Sequence, residues 1–193
     1  MIKYVKGDLF QLTKTSVTKP LLLAHACNCL GIWGGGIANL FKNRYFSSYE
    51  LYHTYCHSFQ ESPTELLGTS LLLPVSSSDA GFVNGNLQEN LIIVCLFTSV
   101  IGQEAESEIA KNTELALLDL KLKLKNPNLI ENKISRSIIK QYNTKIIDSN
   151  GLIDINKYII NMPKINAGIF GVPWELTERA IERSKLNCQV FEL

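Results

Sequence analysis

No run of apolar residues in this 193-residue chain reaches the roughly 18 that a membrane-spanning helix needs. An excess of charge is also absent, because 19 lysines and arginines stand against 18 aspartates and glutamates, for a net charge of +1. Nonspecific DNA binding depends on a dense basic surface. Met1 is followed at once by charged, strand-like residues 2–6, which is not typical of a secretory signal. We therefore expect neither a DNA nor a membrane partner.

The sequence also lacks the motifs of common cofactor and catalytic sites. It contains no GxxxxGK[ST] phosphate loop, no GxGxxG dinucleotide fingerprint and no CxxxxxR phosphatase loop. Cys27 and Cys29 have no second cysteine pair to complete a zinc site. His53 and His57 are one helical turn apart, but no third ligand is apparent, so we interpret them as surface or packing residues. We expect no metal and no cofactor.

The composition indicates one packed globular domain over residues 1–193. Hydrophobic residues make up 46% of the chain and charged residues 19%, which is typical of a chain with a sizeable core. The five cysteines are an odd number in a chain without a visible signal, and this favours reduced thiols. We expect a cytoplasmic location, with the nucleus also compatible, and a monomer.

Strand-like and helix-like segments alternate along the chain, which predicts a layered α/β domain with a largely parallel sheet. Residues 76–90 are rich in serine, glycine and asparagine and are predicted to be a loop. Residues 126–156 are poorly periodic and are predicted to be an insertion, partly helical and partly flexible. This insertion either covers a cleft as a lid, bringing Asp148 or Asp154 near it, or is solvated; we favour the second. The predicted strands are residues 2–6, 21–26, 69–73, 91–97, 158–165 and 188–193, and the predicted helices are residues 37–45, 48–59, 104–125 and 173–184.

Two glycine-bearing segments each follow an apolar strand and open a helix. The first covers residues 25–38 (HACNCLGIWGGGIA) and the second residues 166–174 (NAGIFGVPW). A helix start leaves backbone N–H groups unpaired, and glycine lets a ligand approach the backbone closely. In a parallel sheet both segments would emerge at the carboxyl edge. The pattern predicts a cleft for a diphosphate.

These two segments, together with residues 4–9 (YVKGDL), resemble the macro domain family. The similarity is greatest to its branch of ADP-ribose 1''-phosphate phosphatases, and it covers the chain except residues 126–156. The resemblance implies a three-layer α/β/α domain with a central mixed, largely parallel sheet. It implies an ADP-ribose-binding cleft and hydrolysis of ADP-ribose 1''-phosphate to ADP-ribose and phosphate, with His25 as general acid or base and Asn28 near the distal ribose and the attacking water.

The resemblance also implies a set of binding residues. Asp8 would accept a hydrogen bond from adenine, with Gly7 and Leu9 beside it, and Phe170 would pack against the distal ribose. The remaining predicted ligand-binding residues belong to the two glycine segments: Cys27, Asn28, Cys29, Gly34, Gly35, Gly36, Ile37, Ala38, Asn166, Ala167, Gly168, Ile169 and Gly171. Each prediction has a structural alternative, in which Asp8 caps a turn and His25, Trp33 and Phe170 are core residues.

Two other functions remain open at this stage. Many macro domains only bind ADP-ribose carried on other proteins, so an ADP-ribosylated protein is a further candidate partner. A neighbouring branch removes ADP-ribose from acidic side chains with a nucleophilic lysine after the strand that aligns with residues 91–97. Thr98, Ser99 and Val100 occupy that stretch here, and Phe170 stands where that branch has a catalytic aspartate. The resemblance therefore argues against covalent lysine chemistry.

Overall fold

The computed structural model describes residues 1–14, 19–82 and 90–193. Its strands are β1 (Ile2–Lys6), β2 (Leu21–Asn28), β3 (Ser70–Pro74), β4 (Leu91–Ser99), β5 (Ile160–Pro163) and β6 (Cys188–Glu192). Its α-helices are α1 (Gly36–Arg44), α2 (Phe46–His57), α3 (Glu106–Lys125), α4 (Lys133–Asn143) and α5 (Trp174–Ser184). Short 3₁₀ helices span Leu9–Lys14, Pro63–Leu66, Pro127–Leu129 and Ile155–Lys157.

The strands form one mixed sheet in the order β1-β6-β5-β2-β4-β3. Only β3 runs antiparallel to its neighbour among the described strands, and every other pair is parallel. Parallel strands share one carboxyl edge, so the chain leaves β2, β4 and β5 on the same side of the sheet. The predicted mixed, largely parallel sheet is confirmed.

The two faces of the sheet carry separate cores, because side chains alternate between the faces of a strand. On β2, Leu22 and Ala24 pack with residues of α3 and α5, whereas Leu23 and Cys27 pack with residues of α1 and α2. All nine residues of β4 are buried, as a central strand covered on both faces requires. This arrangement confirms the predicted three-layer α/β/α fold.

Some element boundaries differ from the predicted ones. Helix α2 begins at Phe46, two residues earlier than predicted, and β5 covers only Ile160–Pro163 of the predicted strand at residues 158–165. Tyr158 and Ile165 are nevertheless buried, so the apolar pattern reported burial correctly but not the length of the strand. Residues 83–89 of the loop predicted at residues 76–90 lie outside the described part of the chain.

Residues 126–156 are packed against the domain and are not solvated as predicted. Ile130, Ile139 and Ile146 are buried in the core on the α3 and α5 face. The Asn143 side chain donates to the Leu124 carbonyl oxygen at 2.8 Å and accepts from the Tyr158 hydroxyl at 2.6 Å. Burial of these isoleucines outweighs the polar composition that suggested a solvated segment. Its status as an insertion stays a prediction.

Two further observations concern the whole described chain. No helix in the described ranges is both long and apolar enough to cross a membrane. All five cysteines are buried and carry free thiols.

Candidate functional site

A cavity of about 700 Å³ opens at the carboxyl edge of the sheet. It lies between the first glycine loop (residues 29–35, between β2 and α1) and the second glycine loop (residues 164–173, between β5 and α5). The connection between β4 and α3 (residues 100–105), called the third loop, also contributes. The residues that line the cavity are Ala26, Cys27, Asn28, Leu30, Ile32, Trp33, Gly34, Gly35, Gly36, Ile37, Ala38, Ile101, Pro163, Lys164, Ile165, Asn166, Gly168, Ile169 and Phe170.

The cavity therefore brings the two predicted glycine segments together, but it does not include every predicted residue. Gly7, Asp8, Leu9, His25, Cys29, Ala167 and Gly171 are not among its lining residues. Eight lining residues that the sequence analysis did not select as ligand-binding residues are Ala26, Leu30, Ile32, Trp33, Ile101, Pro163, Lys164 and Ile165. Their residue types do not distinguish a cavity-lining position from a core position, since most of them are apolar.

The first glycine loop is shaped by the Asn28 side chain. Its amide nitrogen donates to the Ile32 carbonyl oxygen at 2.5 Å, and its amide oxygen accepts from the backbone N–H groups of Leu30 and Ile32 at 3.0 and 3.2 Å. The Tyr52 hydroxyl lies 2.7 Å from the Asn28 carbonyl oxygen and 3.0 Å from its side-chain oxygen. The Asn28 amide thus bonds to the loop backbone, and the predicted contact with the distal ribose and the water stays a prediction.

The first glycine loop ends at the open N-terminus of α1. Gly35 precedes the helix in an extended conformation, and no side chain caps the helix there. The first N–H groups of a helix have no intrahelical partner, so those of Gly36, Ile37 and Ala38 are available beside the cavity. This is the arrangement that binds anions at helix N-termini.

The second glycine loop is anchored by Asn166, which is buried and has a left-handed φ of 64°. Its amide nitrogen donates to the Thr113 hydroxyl at 2.9 Å and to the Thr177 hydroxyl at 3.3 Å, and its amide oxygen accepts from the Thr98 hydroxyl at 2.9 Å. These threonines lie on α3, α5 and β4. The Asn166 side chain points into the protein and positions the loop. The groups of the loop that remain available to a ligand are therefore those of its backbone.

The two glycine loops approach each other at Ile169. A Cβ atom added to Gly35 would lie 3.0 Å from the Ile169 Cδ1 atom, and one added to Gly36 would lie 3.6 Å from it. Ile169 is nevertheless 74% exposed. The side chain of the second loop thus reaches across the cavity to the first loop, and only glycine leaves room for it there.

The third loop supports Phe170. A Cβ atom added to Gly102, which has a left-handed φ of 84°, would lie 2.9 Å from the Phe170 ring. Glu104 holds this loop by accepting from the Val100 backbone N–H at 2.6 Å and from the Ser99 hydroxyl. Partial burial raises the pKa of Glu104, but these hydrogen bonds outweigh it and leave the pKa below its ordinary value.

The structure places His25, the predicted general acid or base, in the core, and its catalytic role stays a prediction. It is fully buried, and its ring stacks on Phe41 with centroids 4.3 Å apart and meets Trp33 edge-on at 4.7 Å. Ala26, Cys27 and Asn28 of β2 line the cavity, whereas His25 does not, and its ring packs against Phe41 of α1. The family resemblance identified its position along the strand but not the direction of its side chain.

Cys27 lies beside His25 and lines the cavity. Its sulfur is 3.7 Å from His25 Nδ1 and 3.6 Å from Nε2. His25, Cys27 and Cys95 offer three ligand atoms within 4.8 Å of one another, and no larger group of this kind is found in the described residues. Closed zinc sites use four ligands, so these three residues are an incomplete site.

The residues predicted to bind adenine have local roles in the structure. Asp8 accepts a hydrogen bond from the Phe10 backbone N–H at 2.9 Å, at the start of the 3₁₀ helix Leu9–Lys14. Leu9 is buried in the core on the α1 and α2 face, and the Gly7 backbone N–H donates to the Glu192 carbonyl oxygen at 2.8 Å. The contact of Asp8 is the turn cap that the sequence analysis held as its alternative.

Lys164 is the one charged side chain among the cavity-lining residues that the structure describes. Its ammonium nitrogen lies 2.6 Å from a carboxylate oxygen of Glu192 and 5.8 Å from the centre of the Trp174 ring. The Trp174 indole N–H in turn donates to the Tyr4 hydroxyl at 2.9 Å. Lys164 is therefore held between an acid and an aromatic ring at the rim of the cavity.

Comparisons with known proteins agree with this geometry. A relative from Debaryomyces hansenii, named ADP-ribose 1''-phosphate phosphatase, is 43% identical over 99% of this chain and 98% of its own length. A relative of the same name from Candida albicans is 40% identical over 99% of both chains. The solved macrodomain of Mycobacterium tuberculosis DarG superposes with a TM-score of 0.61 at 17% identity, covering 100% of this chain and 98% of that one.

A second solved structure, Thermosipho africanus DarTG in complex with ADP-ribose, gives a TM-score of 0.55 at 16% identity and covers 98% of this chain and 41% of that one. At such identities the two structures support the fold alone. A family model described as Macro domain matches residues 24–181, which span both glycine loops and the strands that carry them. The chain belongs to the macro domain family.

Proposed function

We propose that this protein hydrolyses ADP-ribose 1''-phosphate to ADP-ribose and phosphate. The observation that carries the proposal is the meeting of two glycine loops over one cavity, although one loop follows β2 and the other follows β5, far along the sequence. The names of the relatives at 43% and 40% identity support the same substrate. Both cover nearly the whole chain, so they match all the loops that form the cavity.

The diphosphate of the substrate binds between the two loops. On one side it meets the uncapped N-terminus of α1, whose first N–H groups carry a partial positive charge. On the other side it meets the backbone of Gly168, Ile169 and Phe170, which Asn166 fixes to the core. Preorganised N–H groups need no rearrangement when they bind an anion, which favours tight and specific contact.

The distal ribose and its phosphate lie against Phe170 and the third loop. Phe170 and Ile101 both line the cavity there, and Gly102 lets the third loop pass directly beside the Phe170 ring. The adenine lies at the other end, towards Pro163 and Lys164, whose strand lies next to β6. Asp8 follows β1 on the far side of β6, and its contact with adenine remains part of the proposal.

Catalysis then depends on positioning and on electrostatic stabilisation. None of the cavity-lining residues that the structure describes is a carboxylate or a histidine, and His25 faces the core. Phosphomonoester hydrolysis is extremely slow without a catalyst, so fixed N–H donors aimed at the developing negative charge have much to contribute. A water held beside the distal phosphate is the attacking group.

Phosphate release from ADP-ribose 1''-phosphate by the purified protein tests the proposal. We expect turnover by the wild type and loss of at least tenfold in kcat/KM for Gly35→Val, because the new side chain would meet Ile169 where the loops approach. The extended backbone at residue 35 accepts valine without strain. Ala80→Val, at an exposed position outside the cavity, is the matched control and should behave as the wild type.

The same experiment separates the other two functions. ADP-ribose release from an ADP-ribosylated protein, with no phosphate release from the phosphomonoester, would identify a de-ADP-ribosylating enzyme instead. Calorimetric binding of ADP-ribose without release of either product would identify a binding module. Absence of both binding and turnover at millimolar ligand would contradict the use of this cavity for ADP-ribose.

A further inference from the structure

Cys27 combines two properties that the proposed reaction does not use. It is the one cysteine among the cavity-lining residues that the structure describes. It is also the centre of a buried cluster, the floor cluster, which consists of His25, Cys27, Trp33 and Cys95. The Cys27 sulfur lies 3.6 Å from the His25 ring, and the ligand atoms of His25, Cys27 and Cys95 are all within 4.8 Å of one another.

Trp33 supplies the second observation at this cluster. Its side chain is 1% exposed and lines the cavity, stacked on Tyr52 with ring centroids 4.8 Å apart. Its indole N–H is buried without a hydrogen-bond partner in the described structure. Buried N–H groups are nearly always paired, so a donor left unpaired beside a sulfur indicates that an acceptor belongs there.

The environment of Cys27 favours its thiolate form. Burial raises the pKa of this thiol, but hydrogen bonding with Cys95 and the electrostatic and hydrogen-bonding interactions with His25 outweigh it and lower the pKa to about 6. Tyr52 and Cys56 on α2 and Cys29 in the first glycine loop also face this sulfur.

The pKa values of the other four cysteines are raised instead of lowered. Burial raises the pKa of Cys29, Cys56 and Cys188 to about 12, and it also raises the pKa of Cys95. Thiolates, not thiols, are the reactive species. The one cysteine whose pKa is lowered is thus the one that lines the cavity.

We propose that Cys27 is a modification site, at which small soft electrophiles that enter the cavity react with the thiolate of the floor cluster. With hydrogen peroxide the sulfur attacks one peroxide oxygen, an S–O bond forms and the O–O bond breaks. Hydroxide leaves and takes a proton to become water. The sulfur loses two electrons and the peroxide gains them, and the product is a sulfenate. Its oxygen is an acceptor within the cluster for the unpaired Trp33 N–H.

The modification also bears on ligand binding, and this part of the inference rests on the proposed function. An added oxygen or alkyl group at the floor occupies space beneath the first glycine loop, where the diphosphate is proposed to bind. Modified protein is therefore expected to bind ADP-ribose at least tenfold more weakly than unmodified protein. A bound ligand should in turn shield Cys27 from reagents.

Iodoacetamide is a suitable probe, because the thiolate displaces iodide as the S–C bond forms and the C–I bond breaks. We expect native wild-type protein to gain one carbamidomethyl group by intact mass, and peptide mapping to place it on Cys27. The rate should rise as the pH is raised through about 6, where this thiol ionises. Cys27→Ala should abolish the fast label, whereas Cys188→Ala, the control on β6, should leave it unchanged.

The outcomes decide the inference without reference to catalysis. Labelling of another cysteine first, or of no cysteine until the protein is unfolded in urea, would overturn the modification site. If Cys27→Ala fails to fold, peptide mapping of the wild type still decides. Failure of ADP-ribose to protect Cys27 when calorimetry shows that it binds would overturn the shared cavity. If calorimetry shows no binding, the proposed function is contradicted. The labelling experiment alone then decides whether Cys27 is a modification site.

Discussion

The first glycine loop is tied to the end of its own strand, whereas the second is tied to three distant elements. Asn28 holds the first loop through backbone groups two and four residues ahead of it. Asn166 holds the second loop through threonines on β4, α3 and α5. Asn28 ends β2 and Asn166 lies shortly after β5, and both were predicted to contact ligand. The comparison shows that a side chain next to a ligand loop often builds the loop, so that the backbone is free to bind.

The largest effect is expected from Asn166→Ala. The change leaves the hydroxyls of three buried threonines without their shared partner and places alanine at a left-handed φ of 64°. We expect a loss of about 3 kcal/mol in the free energy of unfolding, measured by urea denaturation. Asn161→Ala is the control, since this buried side chain has only carbonyl partners and should lose about 1 kcal/mol. An equal loss in the two variants would contradict the anchoring role of Asn166.

An intermediate effect is expected at the point where the first loop enters α1. Gly36→Ala puts a side chain at a φ of 56° and 3.6 Å from Ile169. Gly151→Ala introduces the same strain at a φ of 75°, in an exposed turn with no atom within 4 Å. Each should lose about 1–2 kcal/mol of stability. Only Gly36→Ala should also lose affinity for ADP-ribose, by about tenfold in calorimetry, and a similar loss in Gly151→Ala would show that strain alone explains it.

The smallest effect is expected from Asn28→Ala, because its hydrogen bonds are local and partly exposed. We expect a loss of about 1 kcal/mol in stability. Hydrogen exchange provides the sharper measurement. The backbone N–H groups of Leu30 and Ile32, which donate to Asn28, should exchange faster, whereas that of Val172 in the second loop should not change. Faster exchange at Val172 would mean that the two loops are held as one unit.

The sequence predicted the framework of the site better than its interior. Glycine runs after apolar strands indicated both loops, and the apolar run at residues 91–97 indicated β4. The direction of His25 could not be predicted, because the register that turns it away from the cavity depends on the helices covering each face. The three threonines around Asn166 could not be found either, since they are brought together only by tertiary packing.

Residues 126–156 also show that burial could not be predicted from the sequence alone. Their composition suggested a solvated insertion or a lid, yet Ile130, Ile139 and Ile146 are buried and no residue of the segment lines the cavity as described. Local composition weighs every residue equally, whereas burial depends on which few residues face the sheet. The segment contributes to the core on one face, on the opposite side of the sheet from α1 and α2.

The shortage of charge around the cavity has a consequence for how binding should respond to the solvent. Lys164 is the one charged side chain of the described lining, and Glu192 already neutralises it. In the proposed complex the diphosphate is therefore held by backbone dipoles, which attract it at short range and lose little to screening by mobile ions. Affinity for the nucleotide should be nearly insensitive to ionic strength, unlike that of a cleft that gathers phosphates with arginines and lysines. Such a protein can recognise its ligand equally well in dilute and in concentrated salt.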